Sequence, residues 1–315
     1  MEFGFTVPSG GPIASPGKII TLARRGEALG FGFLGVSDHV VLPNDIQSKY
    51  PYNPHGRYLG SSEYLEPLTL LSFVAAQTSK VRLVPSVLVL PYRGPVLTAK
   101  ILASIDVLSQ GRLILGCGTG WMREEFKLLD SPSFEERGKV TDEYLMVFKE
   151  LWTSDNPTFN GEYVSFSDLG FVPKPVQKPH PPIWVGGESP RALRRVARFA
   201  DGWFPIGTNP SYPMGTETQL ADAISRLHRY VEEEGRDPSD ISIAYNASWS
   251  GTLPDGDKGS KRSLFIGTDE EILEDIHTLG EMGVSHIRFG FDKPTLSEII
   301  EDMECFAENL MPLTY

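Results

Sequence analysis

Three short stretches of the chain combine residue types that can do chemistry. The first runs from Gly30 to His39, Gly-Phe-Gly-Phe-Leu-Gly-Val-Ser-Asp-His. An apolar run of strand length ends there on Ser37, Asp38 and His39, so a carboxylate and an imidazole stand where a buried strand surfaces. In a β/α protein the carboxyl ends of the strands open onto one face, and ligands bind there. A histidine so placed can give or take a proton near neutral pH, which makes Asp38 and His39 the candidate floor of a site. The residues alone leave open that Asp38 caps the next segment and that His39 is a satisfied, partly buried histidine.

The second stretch, Gly116-Cys117-Gly118-Thr119-Gly120-Trp121 leading into Arg123-Glu124-Glu125-Phe126, reads as a glycine-rich strand-to-helix turn. Alternate glycines let the backbone approach a ligand closely, and the following helix offers free amides. The spacing Gly-x-Gly-x-Gly is not the dinucleotide fingerprint, so a Rossmann site is not supported, while a bare tight turn stays open. The third stretch is the buried run Ile183-Trp184-Val185 closing on Gly186-Gly187-Glu188-Ser189-Pro190. Paired glycines, a hydroxyl and a proline at a helix start bring amides to one point, which holds a phosphate without a lysine. A simple strand-to-helix cap would use the same residues.

The elements around these stretches read as alternating strands and helices. Glu2–Val7 suits a first strand, Ser15-Pro16 opens a helix that stops at Gly30, and Phe31–Val36 is the next strand, a βαβ unit of a parallel sheet. From Pro43 to Ser62 the chain is rich in Pro, Gly, Asn and Tyr, with Tyr50, Tyr52, His55, Arg57 and Tyr58, the composition of a lid or binding loop. A helix over 66–78, a strand over 81–90 interrupted by Pro85, a helix over 96–108 and a short strand over 112–115 follow. Ser133–Trp152 reads as one long amphipathic helix, and Phe159–Tyr163 as a small hairpin on an Asn-Gly turn. Helices over 191–199, 220–233, 265–283 and 296–310 alternate with strands over 201–204, 241–245 and 285–291. Trp249–Arg262 reads as a second lid. About eight strand-helix units without internal repeats fit a single (β/α)8 barrel domain over 1–315 better than an open sheet.

Bulk properties restrict the partners. Hydrophobic residues make up 40% and charged residues 22% of 315, and the net charge is -12 with a pI near 5.0. Nucleic acid and anionic membranes need a basic footprint, so a small molecule is the expected partner. Cys117 and Cys305 lie far apart without metal-ligand spacing and read as reduced thiols. No export signal or membrane span opens the chain, which makes the cytoplasm the expected compartment.

The motifs together resemble the bacterial luciferase-like monooxygenase family. The resemblance rests on Ser37-Asp38-His39, Val89-Leu90-Pro91-Tyr92-Arg93, Asp106-Val107-Leu108-Ser109 with Gly111-Arg112, Gly118-Thr119-Gly120-Trp121, Pro182-Ile183-Trp184-Val185-Gly186-Gly187 and Ala200-Asp201-Gly202-Trp203, in that order. It implies a (β/α)8 TIM barrel, commonly dimeric, that binds flavin mononucleotide (FMN) or the deazaflavin coenzyme F420 at the strand carboxyl ends. By resemblance, Asp38 and His39 lie near the ring, with His39 as proton donor, and Ser86–Val87 matches a non-proline cis bulge that supports the ring. Val89, Thr119, Gly120 and Glu124 then belong to the cofactor contacts, and Gly186, Gly187 and Ser189 to its phosphate.

Where sugar-phosphate dehydrogenases of the deazaflavin branch carry a glutamate after the Thr-Gly pair, this chain has Trp121. Sugar oxidation by that route is therefore not expected. A Trp wall suggests an apolar or aromatic substrate, with Trp203, Phe33, Phe204 and the tyrosine loop as possible further lining and ordinary packing as the alternative. The Ser-Asp-His ending resembles the deazaflavin branch and favours hydride transfer from reduced F420. An FMN-dependent monooxygenase, a flavin binder without turnover and, remotely, a metal-dependent barrel hydrolase are the other readings.

Overall fold

The computed structural model describes residues 1–60, 63–248 and 262–314. The second expected lid, Trp249–Arg262, lies outside the described residues except for Arg262.

The chain runs β1 (Glu2–Thr6), α1 (Pro16–Ala28), β2 (Phe33–Val36), α2 (Pro67–Ala75), β3 (Arg82–Pro85), β4 (Leu88–Val89) and α3 (Pro95–Leu108). It continues through β5 (Leu115–Gly118), α4 (Arg123–Leu128), α5 (Arg137–Thr153), a hairpin of β6 (Phe159–Asn160) and β7 (Ser165–Phe166), β8 (Ile183–Gly186) and α6 (Pro190–Phe199). The last third holds β9 (Gly202–Phe204), α7 (Glu217–Glu233), β10 (Ser242–Ser248), α8 (Asp269–Glu281), β11 (Val284–Gly290) and α9 (Leu296–Cys305). The main sheet has the order β3-β2-β1-β11-β10-β9-β8-β5-β4, and every pairing in it is parallel. Its two ends, β3 and β4, are halves of one strand broken at Ser86–Val87. Leu83 also bridges Leu113, and Ile114 N donates to Leu83 O at 3.0 Å, so the sheet closes into a (β/α)8 barrel.

Alternation along the strands gives the barrel two cores. Phe33, Val84, Ile114, Trp184, Phe204 and Ala244 fill its interior as an apolar plug. Residues of opposite parity, such as Leu34, Leu83, Leu115, Val185 and Trp203, pack outward against the helices. The plug closes the barrel as a pore, so a site has room only at the rim.

Three local expectations are corrected. Gly116, Cys117 and Gly118 are strand, not turn, because a Cβ at Gly116 would lie 2.2 Å from Pro85 O: glycine there serves close strand approach. The strand read over 81–90 is two pieces, and the Ser86–Val87 bond between them is cis. The hairpin turn is longer than Asn-Gly, because the Glu143 carboxylate accepts from the amides of Glu162, Tyr163 and Val164 at 2.7 to 2.8 Å and fixes the turn from outside.

Candidate active site

Asp38 and His39 follow β2 at the carboxyl rim, 5% and 8% exposed, and each is held by groups distant in sequence. The Asp38 carboxylate accepts two guanidinium bonds from Arg93 and one from the Val89 amide, all at 2.8 Å. Arg93 also donates to Glu66 at 2.9 Å. Burial opposes the Arg93 charge, but the Asp38 and Glu66 carboxylates outweigh it and hold its pKa above the usual range. Asp38 therefore fastens β2 to β4. The ion pair makes the carboxylate a brace for the strand ends beside the expected ring position.

His39 is placed differently. Its Nδ1 lies 2.8 Å from Oε2 of Glu125, a fully buried residue of α4. Glu125 also accepts from the amides of Val40 and Val41 at 2.7 and 3.2 Å and from the Tyr92 hydroxyl at 2.9 Å. A carboxylate surrounded by donors only accepts, so Nδ1 carries the imidazole proton and Nε2 is the nitrogen not engaged by Glu125. Burial and the Glu125 charge raise the Tyr92 pKa and keep that hydroxyl a donor.

The loop after His39 folds back over it. Glu124 Oε1 accepts from the Gln47 and Ser48 amides at 2.9 Å each, and Ser48 Oγ accepts from Arg123 N at 3.0 Å. Glu124, expected among the cofactor contacts, thus pins this loop to α4. The ring centroids of Tyr58 and Tyr64 lie 5.1 Å from that of His39, and Trp121 lies 6.2 Å away edge-on. Tyr50 and Tyr58 pack on Trp121 at 5.1 and 5.4 Å, and the Tyr58 and Tyr64 hydroxyls share a 2.5 Å hydrogen bond. Trp121 and three loop tyrosines thus form an aromatic cover above the histidine, as a lid would.

The remaining expected contacts gather along the neighbouring strand ends. Ser86 and Val87 are half-buried between β3 and β4. Cβ atoms at Gly118 and Gly186 would meet Val87 at 2.7 and 3.1 Å, so Val87 fills the gap between β5 and β8 that those glycines leave. Thr119 and Gly120 form the half-exposed turn before α4, with Gly120 at φ +81 and its carbonyl accepting from Arg137 Nε at 3.2 Å. Gly187 has φ +104, a conformation that favours glycine, and Ser189 caps α6 by accepting from Ala192 N at 3.2 Å. The Ser189 hydroxyl proton remains available to donate. Glu188, whose pKa burial raises, accepts from Ile206 N and Asn209 Nδ2 and fixes this turn against the loop after β9.

An arginine cluster that the sequence reading missed stands beside that turn. Burial lowers the Arg137 pKa, with Arg123, Arg191 and Arg195 adding to the shift and Glu135 opposing it; Arg123 is paired with Glu135 and Arg195 with Asp142. Arg191 lies in the first turn of α6. Free amides at a helix start beside Arg191 fit a phosphate.

Three of the aromatics have packing roles. Trp203 is 0% exposed, packs on the helix side of β9, and donates from Nε1 to Gly187 O at 2.9 Å, so it shapes the glycine turn from behind and lines no open space. Phe33 and Phe204 belong to the plug. Glu125 and Arg93 were in the sequence without a signal of their roles: each acts on a residue more than fifty positions away. Among the described residues no group of three or more His, Cys, Asp or Glu is placed to hold a metal ion, and no helix is long and apolar enough to cross a membrane.

The family model described as luciferase-like monooxygenase matches residues 1–250. An uncharacterized Mycobacterium tuberculosis protein, Rv0940c, is 31% identical over 303 residues, covering 93% of this chain and 94% of its own. The FMNH2-dependent dimethylsulfone monooxygenase of Pseudomonas putida is 29% identical over 300 residues, covering 81% of this chain and 80% of its own. A solved F420-dependent secondary alcohol dehydrogenase, in complex with an F420-acetone adduct, superposes with a TM-score of 0.78 at 20% identity over 100% of this chain and 99% of that one, and shares its fold. With its closed parallel barrel, its rim site and a family match over most of its length, the chain belongs to the luciferase-like monooxygenases, a family of oxidoreductases.

Proposed function

We propose that this protein transfers hydride between reduced F420 and a small organic substrate, with His39 as the proton donor or acceptor. The observation that carries the reading is the His39–Glu125 pair, which leaves Nε2 as a fixed proton-transfer atom at the carboxyl rim. When bound, F420 supplies hydride at one ring carbon. The residues of this chain would do the rest. His39 Nε2 moves the proton that balances the hydride on the substrate, and Glu125 holds its tautomer. Trp121, Tyr50 and Tyr58 exclude water. The amides from Gly186 to Ser189, with Arg137 and Arg191, hold phosphate.

The Pseudomonas putida relative, named for FMNH2 and dimethylsulfone, favours a second reading, FMN-dependent oxygenation on the same site. Titrating the purified protein with F420 and with FMN, following cofactor fluorescence, separates the two. Binding of F420 in preference to FMN supports hydride transfer, the reverse preference supports oxygenation, and binding of neither refutes both. The proposal keeps a cytoplasmic homodimer as the working form, with light scattering as the check on assembly.

A further inference from the structure

The mechanism above leaves Arg288, a half-buried cation, unused. Arg288 of β11 pairs in register with Asn246 of β10 and points with it into the barrel, above the apolar plug. Its Cζ stands 5.8 Å from the Phe204 ring centroid. A Cβ at Gly35 would lie 2.9 Å from its Nη1, so the absent side chain at Gly35 makes room for the guanidinium. Arg288 Nε and Nη1 and Asn246 Oδ1 are buried, and among the described residues none of the three has a hydrogen-bond partner. Asn246 Nδ2 donates to Pro205 O at 3.1 Å, which fixes Oδ1 as the free end. Burial, opposed by the Asp292 charge, lowers the Arg288 pKa to about 10, which still leaves it charged at neutral pH.

Asp292 acts on Arg288 through its charge without bonding Nε or Nη1, and leaving such buried guanidinium donors unpaired is costly, so they suit an anion that reaches them. The phosphate-type turn follows β8, which β9 and β10 separate from β11. On either edge of the guanidinium, Nε or Nη1 stands beside Nη2, and such an edge matches the two oxygens of a carboxylate. Tyr50, which feels the Arg288 charge, lies 5.1 Å from Trp121 and so connects the cation to the aromatic cover.

We propose that Arg288 and Asn246 form an acid-binding subsite, so that the substrate is a small monocarboxylic acid whose carboxylate sits on Arg288 and whose apolar body lies against Tyr50 and Trp121. This names a substrate class for the site proposed above and rests on that site.

The test uses the whole chain with benzoate, phenylacetate and cyclohexanecarboxylate, each against its uncharged amide, by thermal shift and intrinsic fluorescence, alone and with saturating F420 or FMN. At least one acid is expected to bind at least tenfold more tightly than its amide. Arg288→Met should weaken it ten- to a hundredfold and Arg288→Lys less, with cofactor affinity unchanged in both. Arg288→Met should also raise the Tm of the ligand-free protein, since the unpaired cation is gone. Equal binding of acids and amides, binding of neither, loss of cofactor affinity in Arg288→Met, or a fall in its Tm would each overturn the proposal. Acid binding that depends on Arg288 in a protein that binds neither cofactor would support the subsite while refuting the proposed function.

Discussion

Replacing Glu125 with Gln tests the arrangement around His39 with almost no change in shape. The carboxylate accepts four hydrogen bonds, from Val40 N, Val41 N, the Tyr92 hydroxyl and His39 Nδ1. Glutamine can keep its oxygen toward the two amides, which then lose their charge assistance, at about 1 kcal/mol each. Its NH2 must face His39 and Tyr92, and both can adapt: the hydroxyl rotates to accept, and the imidazole moves its proton to Nε2. Removing a buried charge offsets part of the loss, so stability should fall by no more than roughly 2 kcal/mol. The larger consequence is chemical: a donor role needs the doubly protonated ring, which a carboxylate stabilises and glutamine does not, and an acceptor role needs Nε2 free, which the tautomer change fills. Loss of general acid–base function is expected to lower turnover about 10²- to 10⁴-fold. Long-range 15N correlation spectra of the imidazoles read the tautomer directly and need no substrate. The expected result is an Nδ1–H histidine in the wild type that becomes Nε2–H in Glu125→Gln. A wild-type His39 with its proton on Nε2, or no change on substitution, would refute the assignment.

Removing the imbalance between chemistry and binding gives a complementary pair of outcomes. His39→Ala should lower turnover far more than cofactor affinity; equal losses measured by kinetics and fluorescence titration would reduce His39 to a binding contact. Gly187→Asp should weaken cofactor binding first, because it sets a like charge at the phosphate turn and forces a side chain onto a φ of +104, and unchanged affinity would remove the phosphate from that turn. His286, inside the barrel against Trp184 at 4.8 Å, has its pKa pushed down to about 4 by burial, then by Arg82 and the amino terminus. Its folded value lies below the unfolded 6.5, so its contribution to stability is present above that pH and is lost as pH falls toward 4, roughly 3 kcal/mol at most. Urea unfolding of His286→Asn at pH 7 and pH 4.5 should show a shallower pH dependence than the wild type, and an unchanged slope would contradict this account.

The alternation of strands and helices was legible in the sequence because the barrel repeats one local pattern. Apolar runs ending in glycine or proline, and helices opened by Ser15-Pro16 or Ser189-Pro190, carry their own periodicity and caps. The same locality made the site's strand-end residues visible: Ser37-Asp38-His39 and Gly186-Gly187 lie where a parallel strand must surface. Side-chain direction was less accessible. Trp203 and Phe204 are adjacent and both buried, yet one faces the helices and the other the plug, and only the register of β9 between β8 and β10 decides which.

What the sequence determined by itself is therefore the barrel class and the rim on which chemistry is placed. The tertiary structure alone decided the different partners of Asp38 and His39. Neighbours in the chain, they are held by Arg93 and Glu125, which reach them from 55 and 86 residues away. The same holds for Arg288, an ordinary cation in a strand pattern until closure of the sheet encloses it beside Asn246. Hydrogen-bond partners and desolvation are set by which strands close upon one another, and no local window of sequence contains that information.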